Sequence, residues 1–312
     1  MTDSEVGAVS TIVGIHGIGK RQTGRHQMAP AWRAALRDGL ERATGSAVAE
    51  PPLALAFYGH LFAPAATRTG TRTSTQDATR AGTGATKGPG PDPHAWLTEL
   101  DGAELEDLLA AAGEAITPEE AEAAAASPAK AYTRLPRPLQ TVLRALDRRF
   151  GPSAGVLYLG ALREVRRYLT DTELKERIDA TVRADVSPDC RVLIGHSLGS
   201  VVAFEYVRQN PGHRLDRLVT LGSPLSLRMV RRLLPNPRYG AIRGLPVTLG
   251  SWVNIRDARD PVTCGGGLRP WWPGVDDRPP VDNQGDAHAV ERYLGKRETA
   301  SAVLEVLPGL AP

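Results

Sequence analysis

The stretch "RVLIGHSLGSVVAFEYV" sets Gly195-His196-Ser197-Leu198-Gly199 between an apolar run that reads as a strand and a second run spaced as a helix. A serine in that setting can act as a nucleophile. Small glycines on either side leave room for a strained turn that lifts the hydroxyl above the strand end. The helix that follows points its N-terminal dipole at developing negative charge. The five letters carry little weight alone; the strand before them and the helix after them supply the rest.

A serine hydroxyl at its ordinary pKa attacks poorly and needs a histidine base held in orientation by a carboxylate. In a strand-turn-helix architecture the chain order is serine, acid, histidine. Two histidines follow Ser197: His213 in the polar turn "QNPGHRLD", and His288 in "DNQGDAHAVERYL". His213 precedes the next strand and is expected at the opposite end of the sheet. That leaves His288 as the base. The acid is expected just beyond the strand between them, where "WVNIRDARDPV" offers Asp257 and Asp260. Asp260, next to Pro261 in the loop after the strand, ranks ahead of Asp257. Asp276, Asp277, Asp282 and Asp286 rank lower because they follow Pro270 in a turn-rich stretch.

Near the N-terminus, "STIVGIHGIGKRQ" ends an apolar run in a glycine-rich turn. It fits a phosphate-binding loop up to Lys20, but Arg21 stands where a Mg²⁺-binding Ser or Thr is needed. The same turn can provide the oxyanion donors of acyl transfer. Leu198 would give one backbone N–H, and Ile18 or else Gly17 the other. His16 is then expected to shape the loop. Lys20 and Arg21 would face water or meet an anionic group.

These residues need a scaffold. The strand at 10–15, the helix at 27–43 and the strand-like run at 53–59 make a β-α-β opening, and alternation returns after residue 155: a helical stretch at 156–184, then strand, helix, strand, helix and strand up to "TLGSWVNIRD". This predicts an α/β fold with a mostly parallel, doubly wound sheet. The expected division is a core from 1–60 and 151–312, a low-complexity mobile loop at 61–95, and a helical insertion at 96–150. The insertion pairs an acidic stretch, nine acids and no Lys or Arg over 97–126, with an arginine- and leucine-rich one at 130–149. Two amphipathic helices with solvated charged faces account for this; a lid over the site is the alternative.

With 312 residues and 41% hydrophobic composition a sizeable core can form. Net charge is +3 and aromatic residues are 5%, with no interleaving of basic and aromatic side chains, so nucleic acid is not an expected partner. Cys190 and Cys264 cannot build a disulfide framework and lack metal-ligand spacing. No secretory signal or membrane span is read from the chain. A cytoplasmic location is expected, with no metal and no cofactor.

The "HGIG" and "GHSLGS" segments resemble the oxyanion loop and nucleophile elbow of bacterial lipases within the α/β-hydrolase superfamily. "LGSPL" at 221–225 and "VNIRDARDPV" at 253–262 are similar to segments of intracellular DDHD-type phospholipases and related esterases. The resemblance covers roughly 9–60 and 155–295 and leaves 61–150 unmatched. It implies an α/β-hydrolase fold and a lipase-like serine esterase with Ser197 as nucleophile, Asp260 as orienting acid, His288 as base, and Ile18 with Leu198 as oxyanion donors. The expected substrate is a carboxylic ester, a lipid or phospholipid among the candidates. Arg228, Arg231 and Arg232 could rest on an anionic membrane, or could belong to a solvated helix packed on the sheet. A peptidase or thioesterase would use the same triad. A nucleotide-binding or non-catalytic protein would instead use the glycine-rich loop.

Overall fold

The computed structural model describes residues 11–17, 24–62, 95–126, 132–133, 135–234, 249–263 and 266–312. Six parallel strands form one sheet in the order β2-β1-β3-β4-β5-β6. They are β1 (Ile12–Ile15), β2 (Leu53–Ala56), β3 (Val192–His196), β4 (Arg217–Leu221), β5 (Ser251–Ile255) and β6 (Val275–Asp277). Strand periodicity of two sends alternate side chains to opposite faces. In β3, Val192 and Ile194 join the core on one face, and Leu193 joins the core on the other.

The first face is covered by α1 (Arg25–Thr44) and the C-terminal α9 (Val290–Leu294) and α10 (Arg297–Leu304). In α1, Met28, Trp32, Leu36 and Leu40 recur every four residues and are buried. Gly45, in the left-handed region at φ 73°, ends that helix with its N–H on the Glu41 carbonyl. The second face carries α5 (Ala154–Thr170), α6 (Thr172–Asp185) and α7 (Leu198–Gln209). The chain is thus an α/β protein whose all-parallel sheet has helices on both faces.

Between β2 and α5 lie α2 (Gly102–Gly113), α3 (Pro118–Ala125) and α4 (Arg137–Phe150). The N-termini of α2 and α3 are locally encoded. The Asp101 carboxylate accepts the Glu104 N–H, and Thr117 and Glu120 form a reciprocal capping box. Leu108 of α2 and Leu139, Leu143 and Leu146 of α4 have no exposed surface and share one apolar cluster with Val13 and Leu193 of the sheet. Truncating any of them to alanine costs about 2–5 kcal/mol, so these helices are built into the core and do not hang over it. Arg163–Glu104 and Arg166–Asp107 pairs, both at 2.9 Å, tie α5 to α2.

Several boundaries differ from those expected. The run at 156–184 is two helices, because Asp171 leaves helical geometry to end α5 and cap α6 through the Leu174 N–H. The run at 53–59 is a strand only to Ala56: the Tyr58 N–H bonds to the His16 ring and so leaves the ladder. Asp276 and Asp277, read as part of a turn-rich stretch, lie in the edge strand β6. The low-complexity segment lies outside the described residues except at its ends. No described helix is long and apolar enough to cross a membrane.

Candidate functional site

The sheet order changes direction at β1 and β3. From β1 the chain runs outward to β2, and from β3 it runs the other way to β4. In parallel sheets, ligands bind in the crevice beyond the carboxyl ends of such a strand pair. Gly17 follows β1 and Ser197 follows β3, so both stand at that crevice.

Ser197 sits between β3 and α7 with φ 55° and ψ −127°, a conformation costly for any residue with a Cβ. Its N–H bonds to the Leu221 carbonyl at 3.0 Å. The side-chain hydroxyl is buried and has no hydrogen-bond partner; the residue has no exposed surface. Leu198 opens α7, where first-turn N–H groups have no acceptor within the helix.

Gly17 lies against this turn. A Cβ there would stand 2.6 Å from the Ser197 Cβ and 3.1 Å from the His196 carbonyl oxygen, so only glycine fits. His16 fixes the Gly17 carbonyl. Its Nδ1–H donates to that oxygen at 2.7 Å, its Nε2 accepts the Tyr58 N–H at 3.1 Å, and its ring stacks on Tyr58 at 4.2 Å. Both nitrogens are thereby committed, and His16 is a buried structural group. Ile18, Lys20 and Arg21 lie outside the described residues.

His288 stands in the loop before α9. Its Nδ1–H donates to Asp260 Oδ2 at 2.8 Å, which leaves a lone pair on Nε2, buried and without a partner. Asp260 is fully buried, and its carboxylate accepts two further hydrogen bonds: Oδ1 takes the Val262 N–H at 2.9 Å, and Oδ2 also takes the Tyr293 hydroxyl at 2.8 Å. Burial, then the neighbouring Asp260 charge, raises the Tyr293 pKa far above the ordinary phenol value, so this hydroxyl remains a donor. The same oxygen accepts the Asp257 N–H at 2.8 Å. Gly222, in the left-handed region at φ 53°, lies beneath the pair; a Cβ there would come within 2.7 Å of Asp260 Oδ2.

Asp257, the second-ranked acid, is buried elsewhere in the same loop. It accepts the N–H groups of Arg259 and Asn283 and organises the turn rather than facing a histidine. Asn283 in turn donates through Nδ2 to the Ala287 carbonyl at 3.0 Å, which fixes the loop that carries His288. Asp277 clamps the N–H groups of Leu268 and Arg269. His213 precedes β4 at the end of the sheet away from Ser197, where its Nδ1 accepts the Leu215 N–H.

Sequence reasoning passed over two residues. Tyr293 lies in the helical run after His288, and nothing in the letters marks its hydroxyl as the bridge between Asp257 and Asp260. His196 was only the variable position beside Ser197. Its Nε2–H donates to the His288 carbonyl at 2.9 Å, and the two rings lie 4.7 Å apart. The histidine loop is thus pinned to the residue preceding the serine.

Among the described residues, no group of three or more His, Cys, Asp and Glu side chains could hold a metal ion. In α8 (Arg228–Leu233), Arg232 pairs with Asp107 and the Arg231 guanidinium lies 3.5 Å from the centre of the Trp271 ring, so both are engaged within the protein. No protein-family model matches the chain, and neither a curated protein nor a solved structure is significantly similar to it.

Proposed function

We propose that this chain is a serine hydrolase of the α/β-hydrolase type that cleaves a carboxylic ester through an acyl-enzyme. One observation supports this reading most: Ser197 occupies a strained strand-to-helix turn, pinned through His196 to the loop where His288 is hydrogen-bonded to a buried Asp260. A solvated histidine or a merely structural serine has no need of that construction.

Ser197 Oγ attacks the ester carbonyl carbon and passes its proton to His288 Nε2. Asp260 stabilises the resulting imidazolium through Nδ1–H and holds the tautomer that keeps Nε2 basic. The Leu198 N–H receives the oxyanion, with a second donor from the glycine-rich turn after β1, at Ile18 or Gly17. One such donor is worth about 10²–10³-fold in rate. When the carbon–oxygen bond to the alcohol breaks, Nε2 returns its proton to the departing oxygen. Water then adds to the acyl carbon, giving a proton to Nε2, and the carbon–Oγ bond breaks as that proton returns to Ser197. In this resting arrangement Oγ and Nε2 are not yet hydrogen-bonded, as is common before substrate closes such a contact. The bonds made and broken involve only these side chains, the ester and water, while backbone N–H groups hold the oxyanion.

A fluorophosphonate probe tests the reading. Labelling is expected in the wild type, and its loss in Ser197→Ala and in His288→Ala. Labelling that persists in both variants overturns the assignment. A parallel panel of p-nitrophenyl esters, acyl thioesters and peptides separates esterase from thioesterase and peptidase.

A further inference from the structure

Two further serines stand behind the nucleophile. Ser200, in the first turn of α7, and Ser223, just past β4, have almost no exposed surface. Ser200 Oγ lies 2.6 Å from the Ser197 carbonyl oxygen and 2.7 Å from Ser223 Oγ. A hydroxyl has one proton to give, and a carbonyl can only accept. The Ser200 proton therefore goes to the Ser197 carbonyl, and Ser223 donates to Ser200. Ser223 Oγ in turn accepts the Leu225 N–H at 3.3 Å.

The Ser197 carbonyl also accepts the Ser200 N–H at 2.9 Å. That N–H by itself gives the carbonyl a partner, and alanine at 200 would spare the burial of a hydroxyl. What the hydroxyl adds is a direction. One donor leaves a peptide plane free to tilt about the bond, whereas two donors at different angles hold it. The Ser197 carbonyl and the Leu198 N–H are the two ends of one planar trans peptide and point opposite ways. Holding the oxygen against the first turn of α7 therefore turns the Leu198 N–H off the N-terminal end of the helix, where it has no intrahelical acceptor. On its other side Ser197 is tied through its N–H to the Leu221 carbonyl, next to the Gly222 that lies against Asp260 and His288. The end of β4 thus holds the nucleophile by its amide directly and by its carbonyl through Ser223 and Ser200.

We infer that Ser200 is a positioning residue for acyl transfer, with Ser223 acting through it: the pair fixes the peptide between Ser197 and Leu198 and so aims the Leu198 N–H at the oxyanion. The inference rests on the serine-hydrolase reading above and adds to it two residues that do not touch the reacting atoms.

The test uses the full chain, the p-nitrophenyl ester it turns over fastest, and the matching thionoester, in which sulfur replaces the carbonyl oxygen. Donors set for an oxyanion serve the larger, weakly accepting sulfur poorly, so their loss is felt less on the thionoester. Removing an oxyanion donor costs about 10²–10³-fold, and freeing its plane while leaving it in place costs less. Ser200→Ala is therefore expected to lower kcat on the oxygen ester about tenfold, with KM within about twofold of wild type and a smaller loss on the thionoester. Ser223→Ala is expected to act in the same direction more weakly, and the double variant to match Ser200→Ala, because Ser223 works only through the residue it donates to. Should Ser200→Ala fail to fold, Ser223→Ala carries the same comparison of the two esters. Equal losses on both esters, a change confined to KM, or additive effects of the two substitutions would overturn the assignment. A wild type that a fluorophosphonate does not label, or that turns over no ester, overturns the hydrolase reading and this inference together; a labelled, active enzyme indifferent to both substitutions overturns this inference alone.

Discussion

Replacing Tyr293 by phenylalanine removes one oxygen atom and keeps a fully buried ring in place. That oxygen donates to Asp260 Oδ2 and accepts the Asp257 N–H, each at 2.8 Å. A hydrogen bond to a charged group contributes about 1.5–3 kcal/mol, and a buried N–H left without an acceptor costs about 1–3 kcal/mol. Allowing for partial relaxation, the expected loss is about 3 kcal/mol, or about 1 M in the urea midpoint for an m-value near 3 kcal/mol/M. Activity should fall less. Asp260 keeps the Val262 N–H and His288, and a loss of about 1.4 kcal/mol in the transition state is about tenfold in kcat. Asp260→Asn, which reverses the hydrogen-bonding sense of the dyad, is expected to cost about 10⁴-fold. Because burial and the Asp260 charge keep the phenol protonated, the stability deficit should be flat from about pH 6 to about pH 9. Urea unfolding followed by fluorescence, beside ester kinetics on the same samples, measures both effects. A midpoint within about 0.2 M of wild type would refute the idea that this hydroxyl holds the acid loop together.

Three further outcomes are expected. In Gly199→Ala a Cβ would lie 2.1 Å from the Ile15 carbonyl oxygen and 2.5 Å from that of His16, so the first turn of α7 must separate from β1; a loss of about 3 kcal/mol or more is expected, and near-native thermal unfolding would contradict the packing. Burial pushes the Cys190 thiol up to about 12, so in a Cys264→Ser background it should react with a disulfide reagent on the order of 10³-fold more slowly than a free thiol until urea unfolds the chain; prompt stoichiometric reaction of the folded protein would count against its placement. Burial opposes the charge of Glu305, but hydrogen bonds from Arg217 and Arg278 outweigh it and lower its pKa, so its stabilisation is full well above about pH 4.3 and is lost as pH falls through the lowered folded value; with a side chain 41% exposed the effect stays under about 1 kcal/mol, and a Glu305→Gln deficit in Tm equal at about pH 7 and about pH 2 would disprove the pairing.

The parts of the fold that could be read from the letters are those where local pattern and tertiary role agree. β3 and α7 announce themselves because an apolar run gives way, across one serine, to helical spacing. The expected succession of Ser197, an acid and His288 came from the chain order of a strand-turn-helix architecture, and the structure brings Asp260 and His288 within hydrogen-bonding distance. What was not legible depends on partners distant in sequence. The Tyr293 hydroxyl and the His196 ring acquire their roles only when α9 and its preceding loop fold over β3 and β5. β6 contains two aspartates in three residues and no apolar alternation, so its pairing with β5 gives no local signal. The break at Asp171 was hidden because both flanking segments have the same helical period. Nor could charge pattern alone say whether the acidic and basic insertion helices stand free; the buried leucines they share with the sheet decide that.

The absence of any exposed surface on Ser197 has a kinetic corollary. An electrophile of any size can reach the oxygen only during excursions in which the surrounding shell parts. Modification should therefore saturate with reagent concentration, at a plateau common to chemically different warheads. That plateau measures how often the protein breathes, a property of the fold and independent of the intrinsic reactivity of the hydroxyl.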